Sequence, residues 1–301
     1  MILVITPGIP NLPYVLKEGI KHFLLVAEPV TQQLLPGLYI NGWGYNGYIP
    51  GPTIQVFQGD NVNIRVYNKL SEPTSVHWHG LDVPNVMDGV PEVEPSPRID
   101  PNHYFDYQFK ITNPPGSHMY HTHYHTAKQE MMGLGGTFII LDPPQKQSII
   151  QRDYFMMLQE FAVIGMKKGT LSPGTYNLEP LSHDLNFFTI NGRCFPYTIP
   201  LLVKKDENIR IRIGNLGMNA HPIHLHGHQF IVTATDGNSF LESNQYLKNT
   251  ILVGAGETYD TQFYTNNPGI WPLHCHIPHH LSNNSTTNTG GMFTTVTYTE
   301  K

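Results

Sequence analysis

The chain has 301 residues, about two average domains in length, with 27 glycines, 25 prolines and only 14% charged residues. Val, Thr, Ile and Tyr are plentiful, a profile that suits an all-β protein with many turns and argues against a helical one. The net charge of -5 comes without a basic run, which argues against nucleic acid as a partner. No apolar stretch approaches the ~20 residues that span a bilayer.

The N-terminal segment MILVITPGIP lacks a basic region and a small-residue cleavage site, so it is not a recognisable secretion signal. Further along, apolar residues alternate with polar ones. Ile54 and Val56, then Val62, Ile64 and Val66, read as two strands joined by the turn Gly59-Asp60. Leu202, then Ile209, Ile211 and Ile213, repeat that reading across Lys205-Asp206-Glu207. A histidine window follows each pair.

Three landmarks recur at nearly constant distance. Asn41-Gly42 returns as Asn191-Gly192, an offset of 150. His77-Trp78-His79-Gly80 returns as His224-Leu225-His226-Gly227, an offset of 147, and His121-Thr122-His123 as His274-Cys275-His276, an offset of 153. Two copies of one β-domain are therefore expected, residues 1–144 and 145–301, joined near Asp142-Pro143-Pro144-Gln145. A two-sheet Greek-key sandwich suits each copy.

Of 17 histidines, 14 fall in four short windows. On a strand, residues i and i+2 share a face, so each His-X-His offers two imidazoles side by side, a spacing suited to copper, zinc or iron. The pairs are His77/His79, His121/His123, His224/His226 and His274/His276, eight imidazoles in all. Cys275 faces the other side of its strand. There it can join His221 and His280, with Met292 as a weak thioether, in the His2Cys set of an electron-transfer copper centre. By the offsets, Thr74, Thr122 and about Ala127 stand at these places in the first copy, and none replaces the missing ligand. Cys194 is expected to be a buried free thiol.

These motifs resemble the multicopper oxidases, which include laccases and bacterial copper efflux oxidases. The likeness rests on His77-Trp78-His79-Gly80, Tyr120-His121-Thr122-His123, the run from His221 to His228, and His274-Cys275-His276-Ile277. Pro50-Gly51-Pro52-Thr53-Ile54 and Asn267-Pro268-Gly269-Ile270-Trp271 support it. The resemblance implies two cupredoxin-like domains and four copper ions per chain. His77 and His224 would hold type 2 copper. His79, His121, His123, His226, His274 and His276 would hold the type 3 pair. His221, Cys275 and His280 would hold type 1 copper. Asp88 matches an acid that supports proton delivery during reduction of dioxygen to water.

Two departures stand out. The usual axial methionine position is Ser285, so Met292 is the candidate, after an inserted loop from Ser282 to Gly291. Leu281 stands where some relatives carry an acid. His279 competes with His280, and the family spacing from Cys275 favours His280. His118, His125 and His228 read as supporting or surface residues, while His22, His103 and His183 carry no signal. The two-domain form resembles small laccases. It implies a homotrimer with the trinuclear cluster between protomers, dioxygen and a small reductant as partners, and an extracytoplasmic location. A copper nitrite reductase would need Cys where Thr122 stands and fewer cluster histidines. A non-catalytic copper-binding or electron-transfer protein would leave eight histidines unexplained.

Overall fold

The structure is a computed structural model that describes residues 3–143 and 149–299. The expected junction at residues 144 and 145 lies outside the described residues. The chain is all-β, built as two sandwiches of one plan, each a small sheet packed on a seven-stranded one. In the first half the small sheet runs Gly51–Phe57, Gly135–Leu141, Gly116–His121, His77–His79. In the second half it runs Leu201–Val203, Phe293–Tyr298, Ile270–Cys275, His221–Leu225, with Thr250–Val253 added at the edge. Both central histidine strands therefore sit in equivalent places.

The two strand pairs read from the alternation exist, but the members of each pair do not bond to one another. Gly51–Phe57 belongs to the small sheet and Asn61–Asn68 to the large one; Leu201–Val203 and Asn208–Asn215 divide the same way. Each turn thus carries the chain from one layer to the other. Apolar residues alternate inward from both layers, and Ile54, Val56, Ile64, Val66, Trp78 and Phe138 are fully buried in the first core. Each such large side chain contributes about 1.5–3 kcal/mol by leaving water.

The repeat is deeper than the sequence motifs, with one correction. Val62 pairs with Lys21, and Ile209 pairs with Arg152, which aligns the strands Ile20–Leu35 and Arg152–Phe161. Along that alignment Tyr45 opposes Ala27 just as Ile190 opposes Leu158. The counterpart of Asn191-Gly192 is therefore Asn46-Gly47, not Asn41-Gly42. Asn41 lies inside the strand Leu38–Tyr45, whereas Asn46 and Asn191 both have φ near +50°. Both also accept a backbone N–H through Oδ1, from Val26 and Met157 respectively, at 2.8 and 2.7 Å. An Asn-Gly pair is the natural occupant of a tight turn that needs positive φ twice.

The halves are also interlocked. Gly174–Leu178 pairs in parallel with Leu38–Tyr45, and Val163–Ile164 extends the same sheet, so strands after residue 160 complete the first half's large sheet. Arg212, fully buried, donates to Asp153, Asp260 and Ser117, and Ser117 also donates to Asp260 at 2.6 Å. This network ties the strand before His121 to the second half. Removing Arg212 would leave the buried Asp260 carboxylate without its cation, at a cost of about 3–5 kcal/mol.

Candidate metal centres

Three groups of side chains that could ligate a metal form. The first quartet comes from the paired strands His77–His79 and Gly116–His121, in which His77 opposes His121. Trp78 points into the core, so the histidines on either side of it point outward together. Donor atoms of His77, His79 and His121 lie within 4.8 Å of one another. The His123 ring lies 5.6 Å from that of His77. Outer contacts fix the rings. His77 Nδ1 donates to the Asp88 carbonyl at 2.9 Å, and His121 Nδ1 to the Thr122 carbonyl at 2.9 Å. The Asp88 carboxylate is 3.4 Å from His77 Nδ1. Burial and neighbouring imidazoles push His121 down to about 3, so it is a neutral donor at pH 7.

The second quartet repeats this arrangement. His224 opposes His274, His226 Nε2 is 3.0 Å from His274 Nε2, and the His276 ring is 5.7 Å from that of His224. His224 Nδ1 donates to the Asn249 carbonyl at 2.7 Å and His274 Nδ1 to the Cys275 carbonyl at 2.8 Å. Among the described residues, no hydrogen bond or ring contact joins the two quartets within the chain.

The third group is buried. Cys275 Sγ lies 3.7 Å from His221 Nδ1 and 3.5 Å from His280 Nδ1, and the two nitrogens are 3.1 Å apart. His280 comes from the short 3-10 helix Pro278–Leu281, and its ring stacks on Phe188 at 4.1 Å. His279, its competitor, turns outward toward the Leu185 carbonyl. Met292 is fully buried in the same core cluster as Cys275, and its backbone bonds both Cys275 and His280. Burial holds His221 at about 3 and His280 at about 4, and pushes the Cys275 thiol up to about 11. Two neutral imidazoles converging on a buried thiol fit a copper ion, whose charge would offset a buried thiolate.

The corresponding corner of the first half is polar and closed. Thr74 and Thr122 both donate to Gln129 Oε1 at 2.8 Å, and Gln129 donates to Glu72 and to the Pro73 carbonyl. Gln129 sits on the short helix Thr126–Gln129, the counterpart of the helix that carries His280. Gln129, rather than Ala127, therefore fills the third position.

Other histidines separate from these groups. His118 is buried against the backbone of Gly80 and Gly237. His228 is 2.8 Å from the Tyr298 hydroxyl, and His125 is exposed.

Two family models, each described as multicopper oxidase, match residues 29–145 and 170–289. A blue copper oxidase from Nitrosomonas europaea shares 30% identity, with 92% of this chain and 85% of that chain covered and a TM-score of 0.79. The multicopper oxidase mgLAC shares 30% identity over 92% and 86% of the two chains, with a TM-score of 0.81. The chain belongs to the multicopper oxidase family. Multicopper oxidase MmcO of Mycobacterium tuberculosis is 29% identical over 271 residues, 79% of this chain and 51% of that protein. The chain spans about half the length of such curated relatives. This multicopper oxidase has, among its described residues, no helix long and apolar enough to cross a membrane.

Proposed function

We propose that this multicopper oxidase is a laccase-like enzyme that takes electrons singly from a small phenolic, aromatic or metal-ion reductant and passes four to dioxygen, releasing water. The observation that carries the reading is the buried convergence of Cys275, His221 and His280 at the end of the strand Ile270–Cys275, which also holds His274 and is followed directly by His276. In this reading His221, Cys275 and His280 would hold type 1 copper, with Met292 as a further weak ligand. His77 and His224 hold type 2 copper, and His79, His121, His123, His226, His274 and His276 hold the type 3 pair. Copper bound there supplies single-electron transfer at the thiolate site and multi-electron reduction of dioxygen at the cluster.

The protein's own part is positioning. Cys275 is bonded through the backbone to both neighbouring histidines, so the thiolate site and the second quartet are a few covalent bonds apart. Asp88, 3.4 Å from His77 Nδ1, is read as the acid that hands on protons. A cavity of ≈ 260 Å³ bordered by Leu185, Asn186 and His279 lies one residue from His280 and suits the approach of a small reductant.

The first domain, 1–144, holds half of the cluster and no type 1 copper; the second, 145–301, holds the other half and the type 1 site. Since no hydrogen bond or ring contact joins the quartets among the described residues, a homotrimer is the arrangement that would bring the first quartet of one protomer to the second of its neighbour. Leu252 and Ile270, exposed on the strands bordering His221–Leu225, suit such an interface. An extracytoplasmic location accords with the family. A nitrite reductase reading is weakened by Thr122 at the cysteine position it needs, and by the full set of eight cluster histidines.

Oxygen uptake by the copper-loaded protein tests the reading, with phenols, aromatic amines, and cuprous and manganous ions offered in parallel. Uptake with at least one donor is expected. Copper loading without uptake from any donor would favour the non-catalytic reading.

A further inference from the structure

Histidines that hold metals generally pass their second ring N–H to an acceptor, which fixes the tautomer and raises the basicity of the ligating nitrogen. His77, His121, His224 and His274 each already donate Nδ1 to a backbone carbonyl. His221 is different. Its Nδ1 faces Cys275 and His280, and its Nε2 is fully buried with no hydrogen-bond partner. With a metal on Nδ1, a neutral ring must carry its proton on Nε2, and an unmet buried donor costs about 1–3 kcal/mol.

One acceptor stands next to it. Glu160, itself 1% exposed, lies with Oε1 3.8 Å from His221 Nε2. Its carboxylate is held from the other side by Asn219, which donates its backbone N–H at 2.6 Å and its side-chain amide at 2.7 Å. Glu160 opposes Phe188 across the large sheet, so both side chains leave the same face. Phe188 stacks on His280 while Glu160 backs His221, one support for each imidazole. The first half is an internal control. By the strand alignment that pairs Lys21 with Arg152, the position of Glu160 is Pro29, which has no acceptor side chain. The carboxylate is found only in the half that has the thiol and the two imidazoles.

We propose that Glu160 is a positioning residue for the thiolate site, its carboxylate accepting a hydrogen bond from His221 Nε2–H and so orienting the ring and setting the copper centre's reduction potential. It touches neither dioxygen nor reductant. The inference rests on reading His221, Cys275 and His280 as a type 1 copper site. That reading is checked separately by the blue colour of the unaltered protein.

The test compares Glu160→Met, which keeps length and removes the acceptor, with Glu160→Gln, which keeps an amide oxygen. Both are loaded with copper and titrated spectroelectrochemically at the blue band, and copper retention is measured against a chelator. Glu160→Met should favour Cu(I) over Cu(II) by about tenfold, a rise of about 59 mV for one electron. It should also hold type 1 copper about 10–100-fold more weakly. Glu160→Gln should lie between it and the parent. If Glu160→Met does not fold, Glu160→Gln alone must still raise the potential. A folded, blue Glu160→Met or Glu160→Gln with unchanged potential and retention would overturn the proposal. A parent protein that binds copper without blue colour would instead overturn the site reading beneath it.

Discussion

In the first half of the chain, Thr74, Thr122 and Gln129 close a corner with three neutral side chains joined by hydrogen bonds. In the second half, the same corner holds His221, Cys275 and His280, drawn together without an apolar side chain between them. The sheets, the opposed histidine strands and the following short helix are alike in both halves. The difference lies in satisfaction. The first corner meets its own polar needs internally, while the second leaves His221 Nε2 unpartnered and a buried thiol whose ionisation is costly. A sandwich of this kind can therefore house either a set of metal ligands or a closed polar corner at the same place, provided that each version satisfies its buried polar groups.

The two halves differ most sharply at the thiol. Cys275→Ser should abolish both blue colour and turnover, yet leave about three copper ions bound, because thiolate ligation defines the blue site. Metal analysis beside an absorption spectrum checks this. Loss of all copper would mean that the two kinds of site fold as one.

Nearly as large an effect is expected from separating the quartets. His79→Ala damages the first-half quartet and His276→Ala the second, so each variant alone should be almost inactive if the cluster is shared as proposed. Co-expressed, they will form some interfaces with an intact first half from one chain and an intact second half from another, and oxygen uptake should return. Mixed trimers confirmed by mass but still inactive would place the cluster within a single chain.

Asp88→Asn should act more selectively. Reoxidation of the fully reduced enzyme, followed by stopped flow, should slow by on the order of 10²-fold. Reduction of the blue centre by donor should keep its rate. Equal slowing of both steps would mean that Asp88 only props the His77 loop.

Much of this was legible before the fold was known, for a physical reason. A His-X-His pair on a strand is a local feature, so its shared face follows from the period of two, as His77 and His79 around the buried Trp78 show. What escaped was set by distant contacts or by changes in spacing. His280 comes six residues after His274 but Gln129 eight after His121, so a fixed offset pointed to Ala127. Asn41-Gly42 has the right letters for the repeated turn, but only the sheet register identifies Asn46-Gly47. Glu160 lies about sixty residues before its histidine and belongs to the facing sheet, where no local pattern links them. The contribution of Gly174–Leu178 to the first half's sheet is a parallel pairing across more than a hundred residues, equally silent in the sequence.

The smallest effect is expected in the closed corner. Thr122→Val removes one of the two hydroxyl donors to Gln129 and should cost about 1 kcal/mol of stability, read by denaturant unfolding. Copper content and colour should not change. A fading of the blue band would show that the two corners are coupled and that the first is more than a filled remnant.

One thiolate copper site, carried by the second half alone, is proposed to serve a cluster built from both halves. The most direct measurement is copper analysis of the unaltered protein together with its visible spectrum after full oxidation. Four copper ions per chain with a single intense blue band is the expected result. A fully loaded, oxidised protein without colour would mean that Cys275 does not hold copper as a thiolate.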